Sequence, residues 1–431
     1  MSTGLGFRLS RGVRTTISPP IPRAYEWAAQ YKPTPNRPLL DMSQGVPGIP
    51  PPQFLRDAIA EASRYPNSFG YTRWDGEPTL RAALADEMKL SYGRDADITV
   101  DDVALTAGCN LAFVAVAMTL ADAGDEVILP VPWYFNHQMD LNLLGIKTVG
   151  LHTAPEDGFL PSVEKCEALI TPRTKAIALV TPNNPTGAIY PPSLLSAFAN
   201  LAASKGIALI LDETYRDFVP STDRPPHTLF SNTSLPWRNT LIQVYSFSKS
   251  YCLPGHRLGA VIASPHLLAS LKTVLDCLQI CPPRPVQIAL GSLLPSDELR
   301  EFVKGNAEGV QARHRVFREQ LPGDWEVGAQ GGYFAFVKHP FGGVRSEEVC
   351  QALAREVGVV TLPASFFTRE TDENDGLAEL GLGEEEKSGE GTSDASELDE
   401  RWIRFSVANV DDEKVKRVCE RLASFVPRGV E

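Results

Sequence analysis

The side chain best placed for covalent chemistry is Lys249, which follows an apolar strand candidate in the segment Tyr245-Ser246-Phe247-Ser248-Lys249-Ser250. Arg257 lies eight residues further along the chain. A lysine in a desolvated pocket can lose its proton and attack an aldehyde, and hydroxyl groups beside an arginine suit a phosphate. The segment therefore predicts an amine nucleophile next to an anion site, although on its own a surface lysine in a serine-rich loop is the simpler interpretation.

Three more segments place polar residues directly after apolar runs. Thr181-Pro182-Asn183-Asn184-Pro185-Thr186-Gly187 follows one run, Asp212 ends another, and Thr106-Ala107-Gly108-Cys109-Asn110 leads from a third into a helix. Ligands bind beyond the carboxyl ends of the strands in open α/β sheets, and a helix N-terminus can bind phosphate. A carboxylate at the end of a buried strand is costly without a cationic partner. We therefore expect these segments to meet Lys249 at one edge of a sheet.

The elements that must position these residues alternate between short apolar runs and helical stretches from residue 46 to about 320. This alternation predicts an α/β fold, in which helices cover both faces of a mostly parallel sheet. The strand candidates are 103–106, 127–129, 177–180, 207–211, 241–245 and 258–262. After residue 320, strand candidates at 333–337 and 402–406 and helices at 346–356 and 412–423 predict a smaller α+β domain.

The predicted domain organisation has three parts. Residues 1–45 form an amino-terminal arm and part of the small domain, residues 46–320 the large domain, and residues 321–431 the small domain. Residues 15–52 are rich in proline and lack periodicity, which predicts an extended conformation.

Composition and charge exclude several classes of partner. The 431 residues are 43% hydrophobic and 22% charged, which is typical of a soluble globular protein. Residues 368–400 carry 13 acidic and 2 basic side chains, so most of the net charge of −12 lies there. We interpret this segment as a disordered surface loop, with a regulatory lid as the alternative. Because the remainder is close to neutral, neither nucleic acid nor an anionic membrane is an expected partner.

The cysteines and the amino terminus bear on the compartment. Seven cysteines without a Cys-x-x-Cys pair predict neither a disulfide framework nor a zinc site, and we expect no bound metal. No apolar stretch is long enough to span a bilayer or to form a secretion signal. We therefore expect a cytoplasmic protein, with a transit peptide containing Arg8, Arg11 and Arg14 as the alternative.

The four segments around Lys249, Asn184, Asp212 and Gly108 together resemble those of the fold-type I pyridoxal-phosphate (PLP) enzymes. The likeness is to the class I/II aminotransferase family related to aspartate aminotransferase. It extends from about residue 45 to residue 425, and the acidic segment is its main departure. The resemblance implies that Lys249 holds PLP as a Schiff base and moves a proton between substrate and cofactor.

The same resemblance implies roles for the neighbouring residues. Asp212 would pair with the pyridine nitrogen of PLP and keep it protonated. Tyr215 and Asn184 would form hydrogen bonds with the phenolic oxygen. The cofactor phosphate would be held by the side chains of Ser246, Ser248 and Arg257 and by the backbone at Gly108 and Cys109.

Residues farther along the chain match the part of the family's site that receives the substrate. Tyr134 aligns with the aromatic residue that stacks on the pyridine ring, with Trp133 as the alternative and core packing as another interpretation of either. Arg404 aligns with the arginine that, together with Asn184, binds the substrate carboxylate, and the alternative is an ordinary strand-edge arginine. Gly45 aligns with the glycine where the amino-terminal arm lies over the substrate.

Tyr71 resembles the tyrosine by which one subunit of the family reaches the cofactor phosphate of its neighbour. The resemblance therefore implies a homodimer with shared active sites. The alternative is an exposed tyrosine in a surface turn that ends at Gly76.

The resemblance implies a PLP-dependent aminotransferase that moves an amino group between an L-amino acid and a 2-oxo acid. The alternative is a lyase or synthase of the same fold, of the aminocyclopropane-carboxylate synthase or cysteine-S-conjugate lyase type, because it would share Lys249, Asp212 and Arg404. A protein that binds the cofactor without turnover is a rival from another class. A residue that binds an α-carboxylate argues against that rival, since a binding protein does not need one.

Overall fold

The computed structural model describes residues 7–368 and 401–427, so most of the predicted acidic loop, from residue 369 to residue 400, lies outside the described residues. The helices are α1 (Arg11–Thr15), α2 (Pro20–Ala28), α3 (Gln53–Ala62), α4 (Pro78–Tyr92), α5 (Cys109–Leu120), α6 (Phe135–Leu143), α7 (Val163–Leu169), α8 (Pro192–Lys205), α9 (Phe247–Ser250), α10 (Pro265–Gln279), α11 (Arg284–Leu293), α12 (Asp297–Gln320), α13 (Ser346–Ala352) and α14 (Asp412–Ala423).

The strands are β1 (Leu40–Asp41), β2 (Val103–Thr106), β3 (Glu126–Val131), β4 (Lys147–His152), β5 (Thr174–Val180), β6 (Ala208–Asp212), β7 (Leu241–Ser246), β8 (Gly259–Ile262), β9 (Glu326–Gly331), β10 (Phe334–Lys338), β11 (Val359–Val360), β12 (Leu362–Pro363) and β13 (Trp402–Ser406). In the described part of the chain, no helix is both long enough and apolar enough to cross a membrane.

A seven-stranded sheet in the order β2-β8-β7-β6-β5-β3-β4 forms the centre of the molecule. Neighbouring strands are parallel except at β8, which runs antiparallel to both β7 and β2. This sheet confirms the α/β class predicted from the sequence. All six strand candidates before residue 320 correspond to strands of this sheet.

Helices cover both faces of this sheet. Strand β6 shows why the central strands of the sheet appear in the sequence as continuous apolar runs. Leu209 and Leu211 pack into one core cluster, whereas Ile210 between them packs into the cluster on the opposite face. Successive side chains of a strand point to opposite faces, so a strand buried on both sides needs apolar residues throughout. The sequence did not predict β4, because this edge strand is only partly buried and contains several polar residues.

A second, antiparallel sheet in the order β12-β13-β10-β9 has its own apolar core. Helices α13 and α14 pack on it, and α2 contributes Ala24 and Trp27 to the same core. The prediction of an extended arm is wrong over Pro20–Ala28, where Pro20 begins α2. Proline is well tolerated in the first turn of a helix because its missing N–H would have no helical partner there.

Candidate active site

The candidate site lies at the edge of the large sheet where β2, β5, β6 and β7 end and β8 begins. Gly259, the first residue of β8, is opposite both Ser246 at the end of β7 and Thr106 at the end of β2. Because β8 is antiparallel, a residue just before it reaches the same edge as a residue just after β7. This pairing brings Arg257 and Lys249 together although they stand in different turns.

A cavity of 140 Å³ lies at this edge. Nine of the residues singled out from the sequence line it: Cys109, Tyr134, Asn184, Asp212, Tyr215, Ser246, Ser248, Lys249 and Arg257. Three further polar residues, to which the sequence assigned no role, also line it: Asn110, His137 and Thr214.

Lys249 lies in α9, the short helix that follows β7, and Ser246 caps that helix by accepting a hydrogen bond from the backbone N–H of Ser248 (3.2 Å). The Lys249 amine donates a hydrogen bond to the carbonyl oxygen of Gly45. Burial, followed by the neighbouring Arg257 and Arg404, lowers the pKa of Lys249 to about 8. The amine is therefore partly neutral near neutral pH, as a nucleophile toward an aldehyde must be.

The backbone of Lys249 is held from outside the large sheet. The hydroxyl of Tyr333, which precedes β10 of the second sheet, donates to the Lys249 carbonyl oxygen (3.1 Å). Asn306 in α12 donates to the same oxygen (3.4 Å). The position of this lysine therefore depends on both sheets.

Asp212 is a buried carboxylate with polar neighbours at both oxygens, and the Cys109 thiol lies 3.9 Å from one of them. One oxygen accepts a hydrogen bond from the backbone N–H of Thr214 (2.9 Å), and the other lies 3.3 Å from Nε2 of His137. The His137 ring in turn stacks on Phe113, with 3.8 Å between the ring centroids. His137 follows Tyr134 by three residues, so the helical spacing on α6 was the signal that could have identified it.

The amino end of α5 and Arg257 form one side of the cavity. Gly108, which precedes α5, has φ of +92°, and a Cβ at this position would lie 2.2 Å from Nη2 of Arg257. Only glycine therefore lets the guanidinium lie against this turn. The first N–H groups of a helix have no partner within it, and they favour an anion such as a phosphate.

The structure distinguishes between the two aromatic candidates that follow β3. Tyr134 lines the cavity, whereas Trp133 is buried in the core cluster of the large sheet and its backbone N–H donates to the carbonyl oxygen of Phe367 (2.8 Å). Trp133 is therefore a packing residue, and Tyr134 is the one available to a ligand.

Arg404, in β13 of the second sheet, is almost fully buried between the rings of Phe334 and Phe367. Nη1 donates to the side-chain oxygen of Asn184 (2.8 Å), and Nη2 donates to the carbonyl oxygen of Ser43. Nε has no hydrogen-bond partner among the described residues. Burial lowers the pKa of Arg404 to about 10. A buried donor without a partner is costly, so the site fits an anionic ligand such as a carboxylate.

Gly45 and Tyr71 occupy different positions relative to this cavity. Gly45 lies against it, since a Cβ at Gly45 would lie 2.6 Å from the Phe334 ring and 3.4 Å from the Tyr215 hydroxyl. Tyr71 is 79% exposed and is not among the residues that line the cavity. The structure therefore does not bring Tyr71 to the site of its own chain.

The fold and the site together combine an α/β sheet with a buried lysine, a turn that has an arginine beside it at the amino end of a helix, and a buried arginine with an unused donor. The sequence matches the family described as aminotransferase class I and II over residues 37–422. The chain belongs to this family and is an aminotransferase, and enzymes of this family depend on PLP.

Known proteins with similar sequences and structures carry aminotransferase names. The chain is 28% identical to an aspartate/prephenate aminotransferase of Thermus thermophilus, over 76% of this chain and 84% of the relative. It is 30% identical to a valine–pyruvate aminotransferase of Mycobacterium tuberculosis, over 76% and 83%. A solved structure of aspartate aminotransferase from Thermus thermophilus with maleate has a TM-score of 0.80 at 24% identity, covering 97% of this chain and 99% of that one. These relatives do not favour the lyase or synthase alternative.

Proposed function

We propose that the cavity beside Lys249 binds PLP, and that the enzyme uses it to transfer an amino group between an L-amino acid and a 2-oxo acid. The observation that carries this proposal is the convergence of an amine of lowered pKa, a buried carboxylate and the Arg257 guanidinium on one small cavity, where the Arg404 guanidinium donates to the lining residue Asn184. PLP contains an aldehyde, a pyridine nitrogen and a phosphate, and each matches one of these groups. When bound, PLP supplies an electron sink that stabilises negative charge on the substrate α-carbon.

The residues of the large sheet would hold the cofactor. The Lys249 amine would bind the aldehyde carbon and later carry a proton to or from the substrate α-carbon. Asp212 would accept a hydrogen bond from the pyridine nitrogen and hold a proton there. Arg257 and the amino end of α5 would bind the phosphate, with Ser246 and Ser248 as further hydroxyl donors.

Tyr134, Tyr215 and Asn184 would fix the plane of the ring. Burial raises the pKa of Tyr215 well above its ordinary value, and the neighbouring Tyr134 raises it further. The Tyr215 hydroxyl therefore stays protonated and can donate a hydrogen bond to the phenolic oxygen. Asn184 joins the ring-binding and substrate-binding sides, because its side-chain oxygen already accepts from Arg404.

Arg404 would bind the α-carboxylate of both the amino acid and the 2-oxo acid. Its unpaired Nε supplies a donor that has no partner among the described residues, and Asn184 and Ser43 fix the direction of the guanidinium. Gly45, whose carbonyl oxygen accepts from Lys249, would bring the amino-terminal arm over the substrate.

The active enzyme would be a homodimer in which Tyr71 reaches the partner's phosphate site. Phe69 and Tyr71 are 75% and 79% exposed on one short turn, and exposed aromatic residues are common at interfaces. Arg284 supports this turn, because its guanidinium donates to the carbonyl oxygens of Asn67 and Gly70. We place the protein in the cytoplasm, a proposal that its seven free cysteines support.

A spectroscopic titration tests the proposed chemistry. The purified enzyme with PLP should show an absorption band of the Lys249-bound cofactor, and a suitable L-amino acid should convert it to that of the aminated cofactor. Added 2-oxo acid should restore the original band. Lys249→Ala should remain folded and lose turnover, whereas Lys205→Ala, at an exposed lysine, should behave like the unchanged enzyme. Release of ammonia, a thiol or pyruvate without that conversion would instead support the lyase alternative.

A further inference from the structure

A second cavity, of 370 Å³, lies away from the candidate active site and shares no lining residue with it. It is bounded by the carboxyl end of α4, the segment that follows β6, and helices α11 and α12. One wall is apolar and consists of Val219, Leu294, Leu299, Val303 and Ala307. The remaining lining is polar or charged, and its four cations and four carboxylates form the ionic side of the cavity.

Arg216 supplies one cation to the ionic side. Its side chain is 2% exposed, lies with its guanidinium carbon 4.0 Å from the centre of the Tyr245 ring, and has Nε 3.4 Å from a carboxylate oxygen of Asp217. Nη1 has no hydrogen-bond partner among the described residues. A buried guanidinium with an unused donor is costly, and an anionic group beside it would remove that cost.

Arg224 supplies a second cation from the exposed surface. Its guanidinium donates to the backbone carbonyl oxygens of Asp217 (2.6 Å) and Val219 (3.4 Å). These two bonds fix its direction without neutralising its charge, since no carboxylate of the described residues forms an ion pair with it.

The other two basic residues of the lining are each paired with a carboxylate, as Arg216 is with Asp217, whereas Arg224 forms no ion pair among the described residues. Arg300 forms an ion pair with Glu87, and Lys304 lies 3.9 Å from a carboxylate oxygen of Glu301. The lining also contains four carboxylates, Glu87, Asp217, Glu301 and Glu308, so what remains for an anion is the unused Nη1 of Arg216 and the guanidinium of Arg224, next to the apolar wall.

We propose that this cavity binds a small organic monocarboxylate with an apolar chain, and that this site is separate from the substrate site. The carboxylate would lie between the guanidinium groups of Arg216 and Arg224, whose planar donors suit its two oxygens. The chain would lie against Val303 and Leu299 and leave water, which favours its binding. The apolar wall excludes a purely inorganic anion as the best ligand, because such an ion would leave that surface unused.

Calorimetric titration of the PLP-loaded enzyme with hexanoate tests the site. Arg224→Gln keeps a polar side chain at this exposed position, although a shorter one, while removing its charge. Val303→Phe fills the apolar side of the cavity from α12. Arg315→Gln is the matched control, because Arg315 is an exposed arginine on the same helix and does not line the cavity. Circular dichroism would verify that each variant is folded.

Arg224→Gln and Val303→Phe should each lower the affinity for hexanoate at the proposed site about tenfold or more. Arg224→Gln removes a charged hydrogen bond, and Val303→Phe removes the space for the chain. Arg315→Gln should bind like the unchanged enzyme. Hexanol, which lacks the charge, and phosphate, which lacks the chain, should both bind much more weakly than hexanoate. Hexanoate bound only at the substrate site would be insensitive to Arg224→Gln, and that result, or equal binding of hexanol, would overturn the proposal. The test does not require transaminase activity, so it can fail or succeed independently of the proposed function.

Discussion

Burial together with Arg257 and Arg404 lowers the pKa of Lys249 to about 8, so the protonation of this amine changes within the range of pH in which enzymes are studied. Only the neutral amine attacks an aldehyde. The rate at which the cofactor-free enzyme forms its adduct with PLP should therefore rise about tenfold per pH unit at low pH and level off near pH 8. Stopped-flow absorbance over a series of pH values measures this rate.

The variant Arg404→Gln tests whether neighbouring cations help to lower the pKa of Lys249. Removing this cation should move the midpoint upward, toward the ordinary lysine pKa of about 10.5. Arg315→Gln, at a distant exposed position, should leave the midpoint unchanged. A midpoint near 10.5 in the unmodified enzyme would show that the pocket does not depress the pKa of Lys249.

Asp212→Asn should keep the cofactor bound but slow the chemical step, because an amide cannot hold the pyridine nitrogen protonated. Loss of one preorganised charge of this kind commonly lowers kcat about 10²- to 10³-fold. His137→Phe keeps the ring stack on Phe113 but removes the contact with Asp212, so we expect a smaller loss. Exchange of the substrate α-proton in deuterated water, followed by NMR, isolates this step. Exchange at a normal rate in Asp212→Asn would rule out the proposed role.

The residues identified from the sequence are those whose type is unusual at the end of a buried strand. Lys249, Asp212 and Asn184 are polar groups that an ordinary turn does not require at that place. His137 was missed because its one local signal is its position three residues after Tyr134, and its relation to Asp212 appears only when β3 and β6 are placed near each other. The arrangement around Arg404 also depends on long-range contacts, since Ser43 and Asn184 are far from it in the chain.

At the scale of elements, strands buried on both faces could be predicted and exposed or short ones could not. β2 and β13 have the bounds that the sequence predicted, and every residue of both strands is buried. β9 and β4 escaped prediction, since partial exposure leaves both with mixed composition. The helix predicted at 346–356 is α-helical only to Ala352 and continues as a π-helical turn over Leu353–Val357. Apolar periodicity does not distinguish between these two forms.

Helix α12 carries a buried histidine that should make stability depend on pH. Burial lowers the pKa of His314 to about 4, and its Nε2 lies 3.1 Å from the carbonyl oxygen of Gly332. The unfolded chain therefore binds a proton between about pH 6.5 and pH 4 that the folded chain does not. The contribution of His314 to the free energy of unfolding is fully present above pH 6.5 and is lost as the pH falls through 4. The total loss is about 3 kcal/mol.

Comparison of His314→Gln with the unchanged enzyme isolates this effect. Burial raises the pKa of Asp140 to about 7. This shift changes the free energy of unfolding in the opposite direction to that of His314 over nearly the same pH range. The two effects therefore cannot be separated from the pH dependence of the unchanged enzyme alone. The difference in unfolding free energy between variant and unchanged enzyme should shrink as the pH falls from 6.5 to 4. Urea unfolding at several pH values measures it, and a difference that is constant with pH would contradict the assignment.

At the scale of the whole molecule, the position of Tyr71 leads to a prediction about mixed dimers. Lys249→Ala and Tyr71→Ala would each impair both sites of their own homodimer. In a mixed dimer, however, one site would collect both defects and the other neither. Random reassembly makes about half of the dimers mixed, so about one quarter of all sites should be intact.

Unfolding the two variants together and refolding them should therefore give activity above that of either parent. Native mass spectrometry of differently tagged chains would verify that mixed dimers form. The control mixture of Lys249→Ala with Asp212→Asn should show no such gain, because both defects lie in the site of one chain. If mixed dimers form without any gain for Tyr71→Ala, this tyrosine does not cross the interface.

The hydroxyl of Tyr333 joins the second sheet to the backbone of Lys249, while Arg404 donates to Asn184 and Gly45 accepts from the Lys249 amine, both from outside the large sheet. Any rotation that separates the two sheets must stretch these hydrogen bonds together. The opening of the site to a substrate and the positioning of Lys249 would then be coupled. A hinge motion that separates the two sheets would therefore also release the hydrogen bonds that hold Lys249. The lysine would be held in position only while the substrate is enclosed, so the motion would set the time during which the reaction can occur.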